Sequence, residues 1–155
     1  MNSYISYFLE KRAKHKQSYE LSVGMSAPRV YGVYGESDSG KTTLIVQLVS
    51  QLTKEGYQVA TMKQSNKTIS MDTKNKDTWR HHQAGAHLVV FSSRSETNFL
   101  LDAPLRSSEI LRRISEFGNF DFILVEGADD PDIPKIQVGK GRKRSNTIAV
   151  YKNNF

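Results

Sequence analysis

Apolar and polar positions along this chain fall into short blocks whose period switches between two and nearly four. Val30-Tyr31-Gly32-Val33-Tyr34 reads as a strand running straight into a Gly-rich turn over 35–40. From Lys41 onward Leu44, Leu48 and Leu52 recur every fourth residue, flanked by Ile45 and Val49, which predicts a helix with Gly56 at its C′ position. Gln58–Met62 predicts a second strand, and the polar residues 63–76 a long loop. A helix over Asp77–Ala84 stops at Gly85, and strands over Leu88–Phe91 and Thr97–Leu101 follow. Ser107 or Ser108 can cap a helix with the stripe Ile110, Leu111, Ile114 and Phe117, ended by Gly118. Phe120–Val125 is apolar apart from Asp121, the pattern of a strand covered on both faces. Lys135–Val138 and Thr147–Tyr151 read as edge strands around a basic loop. Residues 2–17, with Tyr4, Ile5, Phe8 and Leu9, predict a short amphipathic helix, and 18–28 a linker ending at Pro28. Strand–helix alternation of this kind predicts an α/β layered domain with a mostly parallel sheet and a short antiparallel edge.

Composition narrows the chemistry. At 155 residues the expectation is one domain over 29–155 behind an extension over 1–28. The lack of cysteine excludes a disulfide scaffold, a Cys-ligated zinc site and a thiol nucleophile. No apolar run reaches the ~18 residues of a membrane span, and the first residues lack a secretory pattern, so no membrane is expected and the expected compartment is the cytoplasm. The net charge of +6 is local. Residues 1–16 carry four bases against one acid, and Gly139-Lys140-Gly141-Arg142-Lys143-Arg144 carries four bases and no acid. The body between them is nearly neutral, which argues against an electrostatic nucleic-acid binder. With Gly139 and Gly141 as hinges, the second run predicts a mobile loop that adds little to folding and takes a phosphate-bearing ligand or an acidic partner.

Gly35-Glu36-Ser37-Asp38-Ser39-Gly40-Lys41-Thr42 fits the phosphate-binding pattern G-x-x-x-x-G-K-[ST], between a predicted strand and an amphipathic helix. That context is what the chemistry needs. Glycines let backbone N–H groups converge on phosphate oxygens, and the helix N-terminus adds its dipole. Lys41 supplies a charge between the terminal phosphates, and Thr42 offers a hydroxyl to Mg²⁺. The fold class is therefore P-loop NTPase-like, with three layers. A second magnesium anchor belongs at a neighbouring strand end, where Glu126 follows Ile123-Leu124-Val125. Asp72 is a further candidate, acting through water, while Asp121 lies at the opposite end of that strand and reads as structural. Adjacent His81 and His82 cannot both face one ligand. Tyr151-Lys152-Asn153-Asn154 only loosely matches the guanine-reading [NT]-K-x-D element, because Asn154 stands where the carboxylate belongs.

Taken together, the P-loop, Lys63, Lys76-Asp77-Thr78-Trp79-Arg80 before Ala84-Gly85-Ala86, Leu124-Val125-Glu126-Gly127 and Ile133-Pro134-Lys135-Ile136-Gln137-Val138 form an ordered series. Over Arg29 to Tyr151 the chain closely resembles the molybdopterin-guanine dinucleotide biosynthesis protein B (MobB) family. The resemblance implies a homodimer that binds GTP with Mg²⁺ and assists the nucleotidyltransferase joining GMP to molybdopterin, with at most feeble GTP hydrolysis of its own. Carried onto this chain, it implies that Gly35, Glu36, Ser37, Asp38, Ser39, Gly40, Lys41, Thr42 and Thr43 hold the phosphates. Thr42 and Glu126 would serve the metal, and Lys63, Lys76 and Asp77 would line the rest of the cleft. Lys140, Arg142, Lys143 and Arg144 are the candidates for the pterin phosphate or the transferase surface. Three departures stand out. Gln64-Ser65-Asn66-Lys67-Thr68-Ile69-Ser70 replaces the family's His-rich stretch, residues 1–28 are additional, and the family's further helix would lie beyond Phe155. Two other functions fit a P-loop of this kind: an ATP-dependent ligase or kinase of the dethiobiotin-synthetase type, and a regulatory module whose basic loop docks an acidic partner.

Overall fold

The computed structural model describes residues 27–152. The predicted helix over 2–17, most of the linker after it and Asn154 lie outside the described residues. The chain divides into two compact units, one holding the residues up to Gln64 and from Leu111 on, the other Ser65–Ile110.

In the first unit the strands β1 (Arg29–Tyr34), β2 (Val59–Lys63), β5 (Phe122–Glu126), β6 (Lys135–Val138) and β7 (Thr147–Tyr151) form one sheet in the order β2-β5-β1-β6-β7. Helix α1 (Lys41–Lys54) follows β1 directly. Its every-fourth-residue stripe buries Leu44, Ile45, Leu48 and Leu52 against Val33, Phe122, Leu124, Ile136 and Val138. The helix ends as its glycine predicts: Gly56 N–H donates to Thr53 O at 3.0 Å and Tyr57 N–H to Leu52 O at 3.0 Å, closing the last carbonyls. Ile123 and Val125 are fully buried too, although alternation sends them to the face away from α1. Both faces of β5 are therefore covered, as its unbroken apolar run requires. At the other end of that strand, the Asp121 carboxylate accepts the Gln58 N–H at 2.8 Å and its carbonyl accepts the Arg29 N–H at 2.9 Å. The structural role expected for Asp121 is this anchoring.

Every pairing in the five-stranded sheet is parallel, including β6 with β7. The short antiparallel edge expected of the sheet is thus not part of it. An eight-residue crossover, 139–146, returns from the end of β6 to the start of β7. The antiparallel pairing lies instead in the second unit, where β3 (Leu88–Ser92) and β4 (Thr97–Leu101) form a two-stranded hairpin. That unit also carries α2 (Asp77–Gln83) and the first turn of α3 (Ser107–Phe117). The hairpin leaves Leu88, Val90, Phe91, Phe99 and Leu101 between 43% and 53% exposed, far more than an isolated pair of strands tolerates without a cover.

Candidate nucleotide site

Because the five strands run the same way, their carboxyl ends share one edge, the edge at which ligands bind in open parallel sheets. β1 sits in the middle and delivers the turn 35–40 there, with α1 starting at Lys41. No acidic residue occupies the first turn of α1 and no side chain caps it. Its unpaired N–H groups and positive dipole end are thereby left to an anion. Gly35 is forced by its surroundings: a Cβ there would stand 2.4 Å from Val138 O and 2.8 Å from Ser39 Oγ. The Ser39 hydroxyl is buried and has no partner among the described residues. Lys41 folds back over the turn and its ammonium donates to Glu36 O.

Glu126 closes the other wall. It is the last residue of β5, adjacent to β1, and its side chain is only 12% exposed. Its Oε1 accepts the Thr42 hydroxyl at 3.0 Å and lies 3.4 Å from Nζ of Lys63, the last residue of β2. The main chain fixes that position, since Gln64 N–H donates to Glu126 O at 2.9 Å and Gly127 N–H to Val33 O at 2.8 Å. Gly127 takes a left-handed φ of 81°, and a Cβ there would meet Gln64 O at 2.7 Å. Thr42, Glu126 and Lys63 are thus gathered at one carboxylate beside the P-loop. The oxygen pair Thr42–Glu126 fits a hard divalent cation. Among the described residues no three His, Cys, Asp or Glu side chains cluster, and Mg²⁺ needs none, taking one or two carboxylates together with substrate phosphates.

Other expected residues are placed differently. Asp72 belongs to the second unit, where its Oδ1 accepts the Thr78 hydroxyl at 2.8 Å and the Thr73 N–H at 2.9 Å. Lys76 precedes α2 and Asp77 opens it, in a 3.7 Å pair with Arg80. The basic loop, expected to be mobile, is tied down. Tyr34 Oη accepts the Arg144 N–H at 3.0 Å and lies 2.7 Å from Thr147 Oγ1. The Arg144 guanidinium sits 4.9 Å from the centre of the Tyr34 ring and donates to Ala128 O at 2.9 Å. Lys140, Arg142 and Lys143 are exposed.

One residue of consequence gave only a faint sequence signal, a lysine inside an apolar strand. Lys135 is fully buried, and its ammonium donates to Ile133 O at 2.8 Å and Ser145 O at 3.2 Å. Burial holds its pKa below the ordinary value; Asp130 opposes that and Arg144 adds to it.

Residues 30–154 match the family model of molybdopterin guanine dinucleotide synthesis protein B, MobB. The chain belongs to the MobB family. The Haemophilus influenzae molybdopterin-guanine dinucleotide biosynthesis adapter protein is 32% identical over 106 residues, covering 68% of this chain and 60% of that protein. A Methanocaldococcus jannaschii relative, provisionally named for the same role, is 36% identical over 124 residues, 77% of this chain and 51% of its own. The chain therefore spans between half and three fifths of the length of these two MobB relatives. Among solved structures, Bacillus subtilis MobB superposes with a TM-score of 0.68 at 22% identity, covering 81% of this chain and 79% of that one. The Bacillus stearothermophilus MobB homologue does so with 0.61 at 24%, covering 79% and 77%. At those identities the likeness speaks for the α/β P-loop fold.

Proposed function

We propose that this chain binds GTP with Mg²⁺ at the P-loop and acts as an adapter for the nucleotidyltransferase that builds molybdopterin guanine dinucleotide. The observation that carries the reading is the meeting of Thr42 and Lys63 at Glu126 Oε1, directly beside the start of α1. A nucleotide's phosphates would lie against the N–H groups of residues 35–43, with Lys41 released from Glu36 O to the terminal phosphates. Thr42 and Glu126 would hold the cation, which neutralises phosphate charge when bound. Lys63, 69% exposed, would turn from the carboxylate toward phosphate. The adapter role rests on the names of the MobB relatives, and the five exposed apolar residues of the β3–β4 hairpin support a homodimer.

The test is affinity for GTP, GDP and ATP, each with and without Mg²⁺, on the parent and on Lys41→Ala. GTP should bind most tightly with Mg²⁺, and Lys41→Ala should weaken it at least tenfold, about 1.4 kcal/mol. Preference for ATP would instead favour the ligase or kinase class. Equal affinity in the mutant would remove the P-loop reading. Sedimentation of the parent and of Phe99→Ser tests the dimer.

A further inference from the structure

Two short crossovers meet on the face of the sheet away from α1. One, 127–134, leads from Glu126 across β1 to β6, and the other is the strap 139–146 between β6 and β7. Alternation along β1 fixes the face: Val33 points into the core under α1, so Gly32 and Tyr34 point the other way. Ala128 lies on Gly32, where a Cβ would come within 2.5 Å of its own, and the Arg144 guanidinium lies 4.9 Å from the centre of the Tyr34 ring. Side chains tie the two crossovers together. Arg144 Nη1 donates to Ala128 O at 2.9 Å and Asn146 Nδ2 to Asp132 O at 3.0 Å, while the buried Lys135 ammonium donates to Ile133 O on one crossover and Ser145 O on the other.

Of these links, the one made by Arg144 stands nearest the carboxylate that meets Thr42. Ala128 is fully buried two residues past Glu126, and its carbonyl has no other partner among the described residues. A buried carbonyl deprived of its donor costs free energy, so without the guanidinium the chain behind Glu126 must move or stay unsatisfied. Arg144 is itself held at two points by Tyr34, the residue before the P-loop: its N–H donates to Tyr34 Oη at 3.0 Å, and its guanidinium lies against the ring. A planar, permanently charged guanidinium can face a ring and donate from its edge at once, which a lysine ammonium cannot. We propose that Arg144 is the positioning residue of Glu126. Without touching nucleotide or cation, it fixes through Ala128 O the backbone that aims the carboxylate at Thr42. The proposal rests on Thr42 and Glu126 holding Mg²⁺ beside a P-loop nucleotide, and it takes Arg144 out of the group of four bases expected to meet a phosphate or a partner.

The experiment combines Arg144→Met with Glu126→Gln in a double-mutant cycle and reads GTP affinity with and without Mg²⁺. Arg144→Met should keep metal-free affinity within about twofold of the parent and cut the Mg²⁺ enhancement about fivefold. The double variant should show the same enhancement as Glu126→Gln alone, because both changes act on one carboxylate. An unchanged enhancement in Arg144→Met, or losses that multiply in the double variant, would overturn the proposal. A loss of metal-free affinity that fades with salt would also overturn it, by making Arg144 a direct phosphate contact. A second arm needs no nucleotide. Hydrogen exchange at the Gly127 N–H, which is bonded to Val33 O, should quicken in Arg144→Met about fivefold more than exchange at the Leu48 N–H, which registers loss of stability throughout the unit. Equal changes at the two amides would overturn the positioning role. If the parent binds no GTP, the nucleotide reading falls, and the Gly127 arm alone decides whether Arg144 fixes the Glu126 backbone.

Discussion

Thr42 holds one oxygen of Glu126 at 3.0 Å, although 84 residues separate the two in the chain. The contact joins the first turn of α1 to the end of β5, the two elements that must agree for a metal to meet a phosphate. Glu126→Gln keeps the shape and an oxygen acceptor but removes the charge. Metal-free nucleotide binding should be nearly unchanged, and the enhancement by Mg²⁺ should fall on the order of tenfold. Titration calorimetry with and without the cation measures this. An enhancement of undiminished size would make Glu126 a structural residue.

Gly32→Ala should destabilise the fold by roughly 1–3 kcal/mol. A Cβ at this position would lie 2.5 Å from Ala128 Cβ and 3.1 Å from Lys135 Cγ, so β1 or the segment after Glu126 must shift. Urea denaturation gives the number. A midpoint equal to the parent's would mean that the segment over β1 yields freely.

Arg144 and Lys143 are neighbours with opposite expectations. Arg144→Ser removes a guanidinium from the Tyr34 ring and from Ala128 O, a loss of about 1 kcal/mol at an exposed position. Lys143→Ser removes no contact among the described residues and should change stability by less than about 0.5 kcal/mol. Similar melting temperatures for the two variants would show that the strap is not held by Arg144.

Lys135 gives stability a pH dependence. Its folded pKa lies below the ordinary value of 10.5, so between those two values the unfolded chain binds more protons than the native one. Stability contributed by this group therefore rises with pH through that window and is lowest below it. Lys135→Met should remove the rise. Chemical denaturation of both proteins from pH 8 to 11 checks it, and parallel curves would refute the assignment.

Much of this was legible in the residues because the signals were local. The stripe Leu44, Leu48, Leu52 with Gly56 behind it located α1, and the glycines and Lys41 located the cradle. Glu126 was legible as the first polar residue after an apolar strand, although nothing in the sequence placed Lys63 at the same oxygen. The pairing of β6 with β7 was not legible. Two short strands around a Gly-rich loop read as edge strands, and whether the second returns antiparallel or crosses back depends on contacts distant in sequence. Tyr34 supplies such contacts, with the Arg144 N–H and the Thr147 hydroxyl on its own hydroxyl. For the same reason Arg144 could not be told apart from Lys140, Arg142 and Lys143: all four are bases in one run, and only the fold gives one of them a ring and a carbonyl.

The shortness of the 139–146 strap bears on how the sheet is assembled. Residues paired between β6 and β7 are only 12 or 13 positions apart, as in Lys135 with Thr147 and Gln137 with Val150. Those paired between β1 and β5 are 93 apart, as in Arg29 with Phe122. Closing the shorter loop costs about 2 kcal/mol less in chain entropy. Of the two outer strands, β7 is therefore the one whose partner is nearest at hand, and β6 and β7 can come together before β1 and β5 have found each other.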